Sequence, residues 1–146
     1  MELNDVDIEI LSTLGKFKCQ EDINAYNATT FNLPNLQEAR DIHAENATTF
    51  NLPNLQQSGD INAENATTVN LPNLQQSGHI FASNATTVNL PNLHEAEFIY
   101  ASKAKKIIIP SHLKNRIATA PKDCEIIHPD LEGTPKLESF KTFFYK

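Results

Sequence analysis

The ten-residue stretch NATTVNLPNL, residues 65–74, recurs in nearly identical form every 19 residues. Its clear copies begin at Asn27, Asn46, Asn65 and Asn84. Prolines keep the same interval beyond those copies, at Pro34, Pro53, Pro72, Pro91, Pro110 and Pro129. Such a short and regular unit cannot bury its own apolar residues, so it must stack on copies of itself. The interval therefore predicts a repeat protein of about six units.

Each repeat alternates apolar and polar residues in two short segments. In DINAE the apolar positions are Ile61 and Ala63, and in TVNLP they are Val69 and Leu71. A period of two marks a strand with one buried face, and no part of the repeat has the length or period of a helix. We therefore predict an all-β fold, a parallel β-solenoid of about six coils. Parallel crossovers are generally right-handed, so we expect a right-handed solenoid.

The array divides the chain into three predicted parts. Residues 1–21 form an N-terminal cap, residues 22–131 form the solenoid, and residues 132–146 form a C-terminal cap. The last coil is expected to be irregular, because polar residues occupy its apolar columns at His112, Asp123 and His128. The tail carries apolar residues at spacings that fit a short helix folded over the far end, namely Leu137, Phe140, Phe143, Phe144 and Tyr145.

The N-terminal cap has two possible structures. Asn4 is a suitable N-cap and Gly15 a suitable stop for a helix near residues 4–14. Apolar residues recur at helical intervals across this segment, at Leu3, Val6, Ile10, Leu14 and Phe17. The alternative is a half-coil, because two of these residues also fall in register with Leu33 and Leu36. Either structure would cover strand edges and core at the open end of the stack.

Charge is unevenly distributed along the chain. Residues 1–102 hold thirteen acidic and three basic side chains, a net charge of −10, whereas residues 103–146 hold five acidic and nine basic ones, a net charge of +4. An acidic body of this kind repels nucleic acid and membrane phosphates and attracts a basic partner. We therefore expect neither direct nucleic-acid binding nor membrane binding.

Composition also sets expectations about compartment and chemistry. The chain has no run of about 18 apolar residues that would span a membrane, and its acidic start does not resemble a secretory signal, so we expect a cytoplasmic protein. The only two cysteines, Cys19 and Cys124, are far apart and are expected to be free thiols. No nucleophile elbow, P-loop or metal-ligand spacing is present, so we expect no cofactor, no metal and no enzymatic activity.

The core pattern, I-x-A-x-x-A followed by V-x-L-P-x-L, resembles the bacterial leucine-rich repeat over residues 22 to about 131. That family alternates leucines in one strand, turns at an asparagine and then carries a Leu-Pro pair. Here the strand leucine is Ala63 and the turn asparagine, Asn65, comes one position early. A plain parallel β-helix describes the pattern equally well. The resemblance implies a binding surface on the strand that contains Ile61 and Ala63.

The repeats also show which surface varies. On the second strand the outward Thr-x-Asn pair is the same in four coils, whereas the outward residues of the first strand differ from coil to coil. Variation on a shared scaffold is what recognition of one partner requires. We therefore predict a partner-binding site on the first strand, with aromatic anchors and acidic steering residues. It comprises Asp41, His43, Glu45, Asp60, Asn62, Glu64, His79, Phe81, Phe98 and Tyr100.

These features favour a non-enzymatic protein-binding module whose partner has a basic surface. By analogy, it could act as a small acidic inhibitor like some phage-encoded anti-CRISPR proteins. Exposed aromatic residues also make a homodimer possible. The Thr-x-Asn ranks resemble the threonine arrays of ice-binding β-helices, which is one alternative function. A cation-binding β-helix enzyme that uses the column Asp22, Asp41 and Asp60 is another. Repeated asparagines, such as Asn65 and Asn73, are expected to form hydrogen-bonded ladders.

Overall fold

The computed structural model describes residues 1–132, which form a parallel β-solenoid of about six turns. In chain order the elements are α1 Asp5–Leu11, β1 Phe17–Lys18, β2 Ile23–Asn24, β3 Thr30–Asn32, β4 Leu36–Glu38, β5 Ile42–His43, β6 Thr49–Asn51, β7 Ile61–Asn62, β8 Thr68–Asn70, β9 Ile80–Phe81, β10 Thr87–Asn89, β11 Ile99–Tyr100, β12 Lys106–Ile108, a 3₁₀ helix Ser111–Arg116, β13 Ile117–Thr119, β14 Glu125–Ile127 and α2 Pro129–Glu132. The predicted all-β solenoid is thus confirmed. The predicted tail helix lies outside the described residues.

The strands stack into three faces. Face one is the six-stranded sheet β2-β5-β7-β9-β11-β13, and face two is the six-stranded sheet β3-β6-β8-β10-β12-β14. Face three consists of the pair β1-β4, continued by single bridges through Gln57 and Gln76 to Glu95. Neighbouring strands within each face are parallel, and equivalent residues 19 apart pair in register from β2 to β11. Each column seen in the sequence is therefore a physical stack of side chains.

The interior is built from the repeated apolar columns. In the third coil Ile61, Ala63, Val69, Leu71 and Leu74 all have no exposed surface. Full burial of one valine, leucine or isoleucine side chain stabilises a fold by about 1.5–3 kcal/mol. In the last coil the corresponding residues Ile117 and Ile126 are only partly buried.

The last coil is irregular, as predicted, but the inward residue differs from the prediction. Leu113, not His112, enters the core, with 5% of its surface exposed. The 3₁₀ helix places Leu113 inward one position late, and Ile117 then pairs with Ile99 only 18 residues away. Register returns one residue later, where Thr119 pairs with Tyr100. An exposed imidazole at His112 thus avoids the cost of burying a polar ring without enough partners.

At the N-terminal end both predicted structures occur together. A helix forms, with Asn4 as the N-cap in a capping box with Asp7. A half-coil follows it, in which Phe17 pairs with Leu36. The helix ends at Leu11 with Ser12 as its C-cap, so the prediction that Gly15 stops it is wrong.

The predicted apolar face of the helix is also wrong. Val6 and Ile10 are 63% and 59% exposed, whereas Ile8 is buried. Asp5 fixes this rotation, because its carboxylate accepts hydrogen bonds from the first coil at Thr29. Residues three and four positions apart share a helix face. The side of the helix that carries Asp5 therefore buries Ile8 and turns Val6 and Ile10 to solvent.

The cap replaces the coil that the first repeat lacks. The carboxylate of Asp5 accepts hydrogen bonds from the backbone N–H groups of Thr29 and Thr30, at 2.9 Å and 3.2 Å. The side-chain amide of Asn35 donates to the carbonyl oxygens of Leu11 and Leu14, both at 2.7 Å. In later coils the equivalent amides, of Asn73 and Asn92, donate to the preceding coil's proline carbonyl at 2.7 Å. The end of α1 thus occupies the place of a preceding coil.

Acid is expected to weaken this cap. Hydrogen bonds from the Thr29 hydroxyl and then from the Thr30 and Thr29 backbone hold the pKa of Asp5 below its ordinary value of 3.8. Because the folded-state pKa is lowered, this stabilisation is complete above the unfolded-state pKa and disappears as pH falls through the folded-state pKa. In urea titrations from pH 7 to pH 2, the Asp5→Asn variant should lose less stability below about pH 4 than the parent. Parallel losses would contradict this role for Asp5.

The predicted asparagine ladders are confirmed only in part, because Asn73 and Asn92 donate to proline carbonyl oxygens, and Asn46 to the Tyr26 carbonyl oxygen, instead of to another asparagine. The Asn84 amide donates to the Asn65 side chain at 3.0 Å. The outward asparagines of face two also form a ladder, in which Asn70 donates to Asn51 at 3.0 Å and Asn89 to Asn70 at 2.9 Å. Every such amide donates towards the N-terminal end of the rod.

Both cysteines are free thiols, as predicted. Burial, followed by the nearby charges of Asp123 and Glu125, raises the pKa of Cys124. Among residues 1–132, no helix has the length and apolar character needed to cross a membrane.

Candidate functional site

Face one presents three outward side chains from each regular coil. In the third coil these are Asp60, Asn62 and Glu64, which alternate with the fully buried Ile61 and Ala63. All of the predicted partner-binding residues occupy outward positions of this face, at Asp41, His43, Glu45, Asp60, Asn62, Glu64, His79, Phe81, Phe98 and Tyr100. The structure divides them into an acidic part on coils two and three and an aromatic part on coils four and five.

The acidic column has a structural role that sequence reasoning missed. The backbone N–H of Asp60 donates to Asp41 Oδ1 at 2.8 Å, and the N–H of His79 donates to Asp60 Oδ1 at 2.8 Å. The series begins at Asp22, which accepts from Asp41 N at 3.2 Å, and ends at His79 Nδ1, which accepts from Phe98 N at 3.3 Å. Asp41 and Asp60 therefore hold consecutive coils together as well as carrying negative charge.

Gly59 and Gly78 lie beside this ladder, where there is no room for a side chain. A Cβ on Gly59 would lie 2.2 Å from Asp41 Oδ1, and a Cβ on Gly78 would lie 2.2 Å from Asp60 Oδ1. Neither glycine has a positive φ, so backbone conformation does not require it. The ladder carboxylates occupy the volume that a side chain would need.

An ion pair at one end and a histidine–carboxylate contact at the other replace glycine in the same column. Arg40 Nε lies 3.8 Å from Asp22 Oδ1, and Glu97 Oε2 lies 2.7 Å from His79 Nε2. The acid precedes its partner in sequence at the first end, as Asp22, and follows it at the second, as Glu97. Both pairs are 18 residues apart in sequence, which is the signal that could have identified Glu97 as part of the site.

Four rings form an aromatic patch, which we define as His79, Phe81, Phe98 and Tyr100. Phe81 and Tyr100 stack with their centroids 5.1 Å apart and 5° between their planes, and His79 and Phe98 stack at 6.0 Å and 13°. His79 also lies 5.9 Å from Phe81 and 6.1 Å from Tyr100. The sheet register places these rings one above another, because Phe81 pairs with Tyr100 directly. Phe98 is 40% exposed, so the patch faces solvent.

Arg116 closes one side of the patch. Its guanidinium carbon lies 5.9 Å from the centroid of the Phe98 ring, within the range of a cation–π contact. The 19-residue spacing does not identify Arg116, because the register shift in the last coil moves it one position out of the column of Phe98. Arg116 therefore caps the His79–Phe98 stack, while the strand neighbour of Tyr100 is the small Thr119.

A cleft of about 500 Å³ adjoins the aromatic patch. Glu97 and Arg116, which contact His79 and Phe98 of the patch, line the cleft, and His94, Glu95 and His112 line the remainder together with smaller residues. The cleft lies beside the 3₁₀ helix that interrupts the last coil, and a ring nitrogen of His112 lies 2.9 Å from the His94 carbonyl oxygen. This is a polar depression with charges of both signs.

The acidic part of face one is less tightly paired. His43 stacks on Tyr26 at 5.8 Å and lies 3.6 Å from a Glu45 oxygen, while the other oxygen of Glu45 is buried without a hydrogen-bond partner. The Asn62 side chain accepts a hydrogen bond from the backbone N–H of Glu64 at 3.3 Å. The Glu64 carboxylate takes no part in this contact, and the residue is exposed. Over residues 1–132, no lysine or arginine pairs with the carboxylates of Asp41, Asp60 or Glu64.

Two groups of side chains have the residue types of metal ligands. Asp22, Asp41 and His43 offer atoms within 4.8 Å of one another, and so do Asp60, His79 and Glu97. In the second group Asp60 Oδ1 and both ring nitrogens of His79 already have partners within the ladder. The aspartate column considered for a cation-binding enzyme therefore already accepts backbone hydrogen bonds between coils.

Face two has the regularity expected of the Thr-x-Asn ranks. Thr49, Thr68 and Thr87 lie above Thr30 in register, and the asparagine ladder runs beside them. The row ends at Lys106, which pairs with Thr87. Ice binding by this face stays a prediction.

Comparisons with protein-family models, with curated proteins and with solved structures found no match to this chain. The parallel β-solenoid with a 19-residue spacing is therefore established by its own geometry, and the leucine-rich-repeat resemblance stays a prediction.

Proposed function

We propose that this chain is a non-enzymatic protein-binding module that engages its partner through face one. The observation that carries the proposal is the contrast between faces one and two of the same rod. Face two repeats Thr-x-Asn in four successive coils, as its strands β3, β6, β8 and β10 show. On face one the set of three outward residues differs in every coil, although aspartate recurs at Asp22, Asp41 and Asp60. A surface that only had to remain soluble would not need such differences.

The aromatic patch supplies the anchors for this partner. Aromatic residues dominate binding energy at protein interfaces because they bury large area at a small entropic cost. Phe81 and Tyr100 already hold each other in a stacked pair, so their positions are fixed before the partner arrives. A preorganised surface loses less freedom on binding. The unpaired carboxylates of coils two and three would speed association with a basic surface.

Capture experiments with variant proteins test the proposal. The immobilised chain is incubated with lysate of the organism that encodes it, and the retained proteins are quantified by mass spectrometry. The double variant Phe81→Ala, Tyr100→Ala should retain its specific partner roughly thirtyfold less, as expected for loss of a hot spot worth about 2 kcal/mol. The matched double variant Thr49→Ala, Thr68→Ala on face two should retain the partner like the parent.

Circular dichroism first establishes that both variants are folded, since all four positions lie on the surface of strands. Once the partner is purified, its affinity is measured for the parent, for the face-one variant and for the face-two variant, in place of the capture ratios. Equal retention by the parent and by the face-one variant would reject face one as the binding surface. Loss in the face-two variant alone would move the site to the threonine ranks.

A further inference from the structure

We infer that the partner presents an elongated segment that lies along the rod axis, with arginine or lysine side chains over coils two and three and an apolar group over coils four and five. This inference rests on the proposed function and specifies its partner. It commits to a polypeptide segment of stated chemistry and to one orientation of that segment on face one.

On coils two and three, where the basic side chains of the partner would lie, face one carries carboxylates that form no ion pair with a lysine or arginine of residues 1–132. Asp41, Asp60 and Glu64 have no ion pair with a basic side chain within the described part of the chain, although Asp22 at the edge of the same column is paired with Arg40. Asp41 and Asp60 each commit one oxygen to the backbone ladder. Their negative charge is therefore held in place without being neutralised, which suits a cationic ligand.

The apolar end begins one strand further on. Asn62 pairs directly with Phe81, so the acidic third coil and the aromatic fourth coil are adjacent strands. The outward residues that follow Phe81 and Tyr100 on their strands are the small Ser83 and Ser102, which add no charge, whereas the charged Glu97 and Arg116 lie at His79 and Phe98. The Phe81–Tyr100 pair is thus a neutral surface beside an acidic one. A partner segment must change from basic to apolar over the same distance.

Arg116 sets the direction. Its guanidinium lies over Phe98 at the far side of the patch, where it would repel a cation of the partner. A partner cation could take its place on the Phe98 ring only if Arg116 gave up its own contact with that ring. Basic residues of the partner are therefore directed to the N-terminal side. Three strand intervals separate coils two and five, a distance of about 14 Å at 4.7–4.9 Å each. An extended segment covers this distance with about four or five residues.

A labelled-peptide titration tests the inference. The probe is a blocked peptide of three arginines, one glycine and three leucines, added to the isotopically labelled full chain and followed by two-dimensional NMR. A spin label on the arginine end should broaden backbone signals of Glu45 and Glu64, and a label on the leucine end should broaden those of Tyr100 and Ser102. Equal broadening by both labels, or the reverse pattern, would overturn the orientation.

Charge variants provide the control. Glu64→Lys should weaken peptide binding roughly tenfold at low salt, and the loss should shrink as salt is raised. Glu9→Lys makes the same change of charge on α1, away from face one, and should bind like the parent. A peptide with glutamates in place of arginines should not shift the face-one signals. If it does, or if single-stranded DNA or self-association at rising protein concentration shifts the same signals, the assigned chemistry is wrong.

The outcome is separable from that of the proposed function. If the Phe81→Ala, Tyr100→Ala variant loses its captured partner but the arginine–leucine peptide does not bind face one, the binding surface stands and the basic–apolar segment is rejected.

Discussion

Gly78→Ala is expected to destabilise the solenoid by about 2–3 kcal/mol, a large effect for the addition of one methyl group. The new Cβ would lie 2.2 Å from Asp60 Oδ1, with the Gly59 carbonyl carbon at 3.3 Å on another side. Asp60 would have to turn away, and the half-buried N–H of His79 would then lose its acceptor. Loss of such a hydrogen bond adds to the cost of the steric clash. Urea denaturation measures the change.

Two further variants separate the clash from a general intolerance of alanine. Gly15→Ala adds the same methyl group where nothing lies within 4 Å, and it should leave stability unchanged or slightly raised. Asp60→Ala combined with Gly78→Ala removes the clashing oxygen, so the double variant should cost less than the sum of the two single variants. Additive costs would show that the short distance between Gly78 and Asp60 is not the cause.

Deletion of residues 60–78 should leave a folded protein, even though it removes a whole coil from the centre of the molecule. The deletion joins Gly59 to His79, which occupies the same column as Asp60. Phe50 then stacks on Val88 and Asp41 can accept from the His79 N–H, so every column continues. We expect a cooperative thermal transition with lower stability than the parent, because each interface between coils stabilises a repeat array and the deletion removes one interface.

Deletion of residues 60–69 is the control, since it removes fewer residues but breaks the period. Asn70 would then follow Gly59, and Asn73, Gln76 and His79 would fall at the positions of the buried Ala63, Ala66 and Val69. Burial of unpartnered polar groups at several sites exceeds the few kcal/mol by which a domain is stable. This variant should show no cooperative unfolding by circular dichroism. A stable ten-residue deletion, or an unfolded coil deletion, would contradict the stacking of columns.

The fold could be predicted because one spacing governs every column. Residues such as Ile61 and Ala63 recur at the same place in successive coils, and parallel stacking is the arrangement that buries all copies together. The prediction failed where the spacing was broken by local chemistry. Leu113 replaces His112 in the core because the apolar side chain gains more from burial than the imidazole, and the 3₁₀ helix absorbs the extra residue.

The helix face could not be predicted from apolar spacing alone. Val6 and Ile10 fit a helical stripe as well as Ile8 does, and the choice depends on a contact between distant residues. Asp5 is drawn to the exposed N–H groups of the first coil, and this contact orients the helix.

The outward placement of the candidate site's residues could be predicted from the sequence, but the contacts among them could not. Alternation identified the outward residues, and the structure brings Phe81 and Tyr100 together because they occupy paired strand positions. The ladder role of Asp41 and Asp60 depends on backbone N–H groups in the next coil, which a residue pattern does not display. The glycines opposite them, Gly59 and Gly78, were the available sign, since Gly-Asp and Gly-His recur at the same place.

The one-way direction of the side-chain ladders bears on how the chain is made. Each asparagine amide, such as those of Asn70 and Asn89, donates to a group that belongs to the previous coil. A ribosome delivers the N-terminal cap first, so acceptors exist before the donors that need them emerge. The ladder amides of each coil can therefore bond to the preceding coil as soon as they leave the exit tunnel, so these side-chain bonds form in the direction of synthesis.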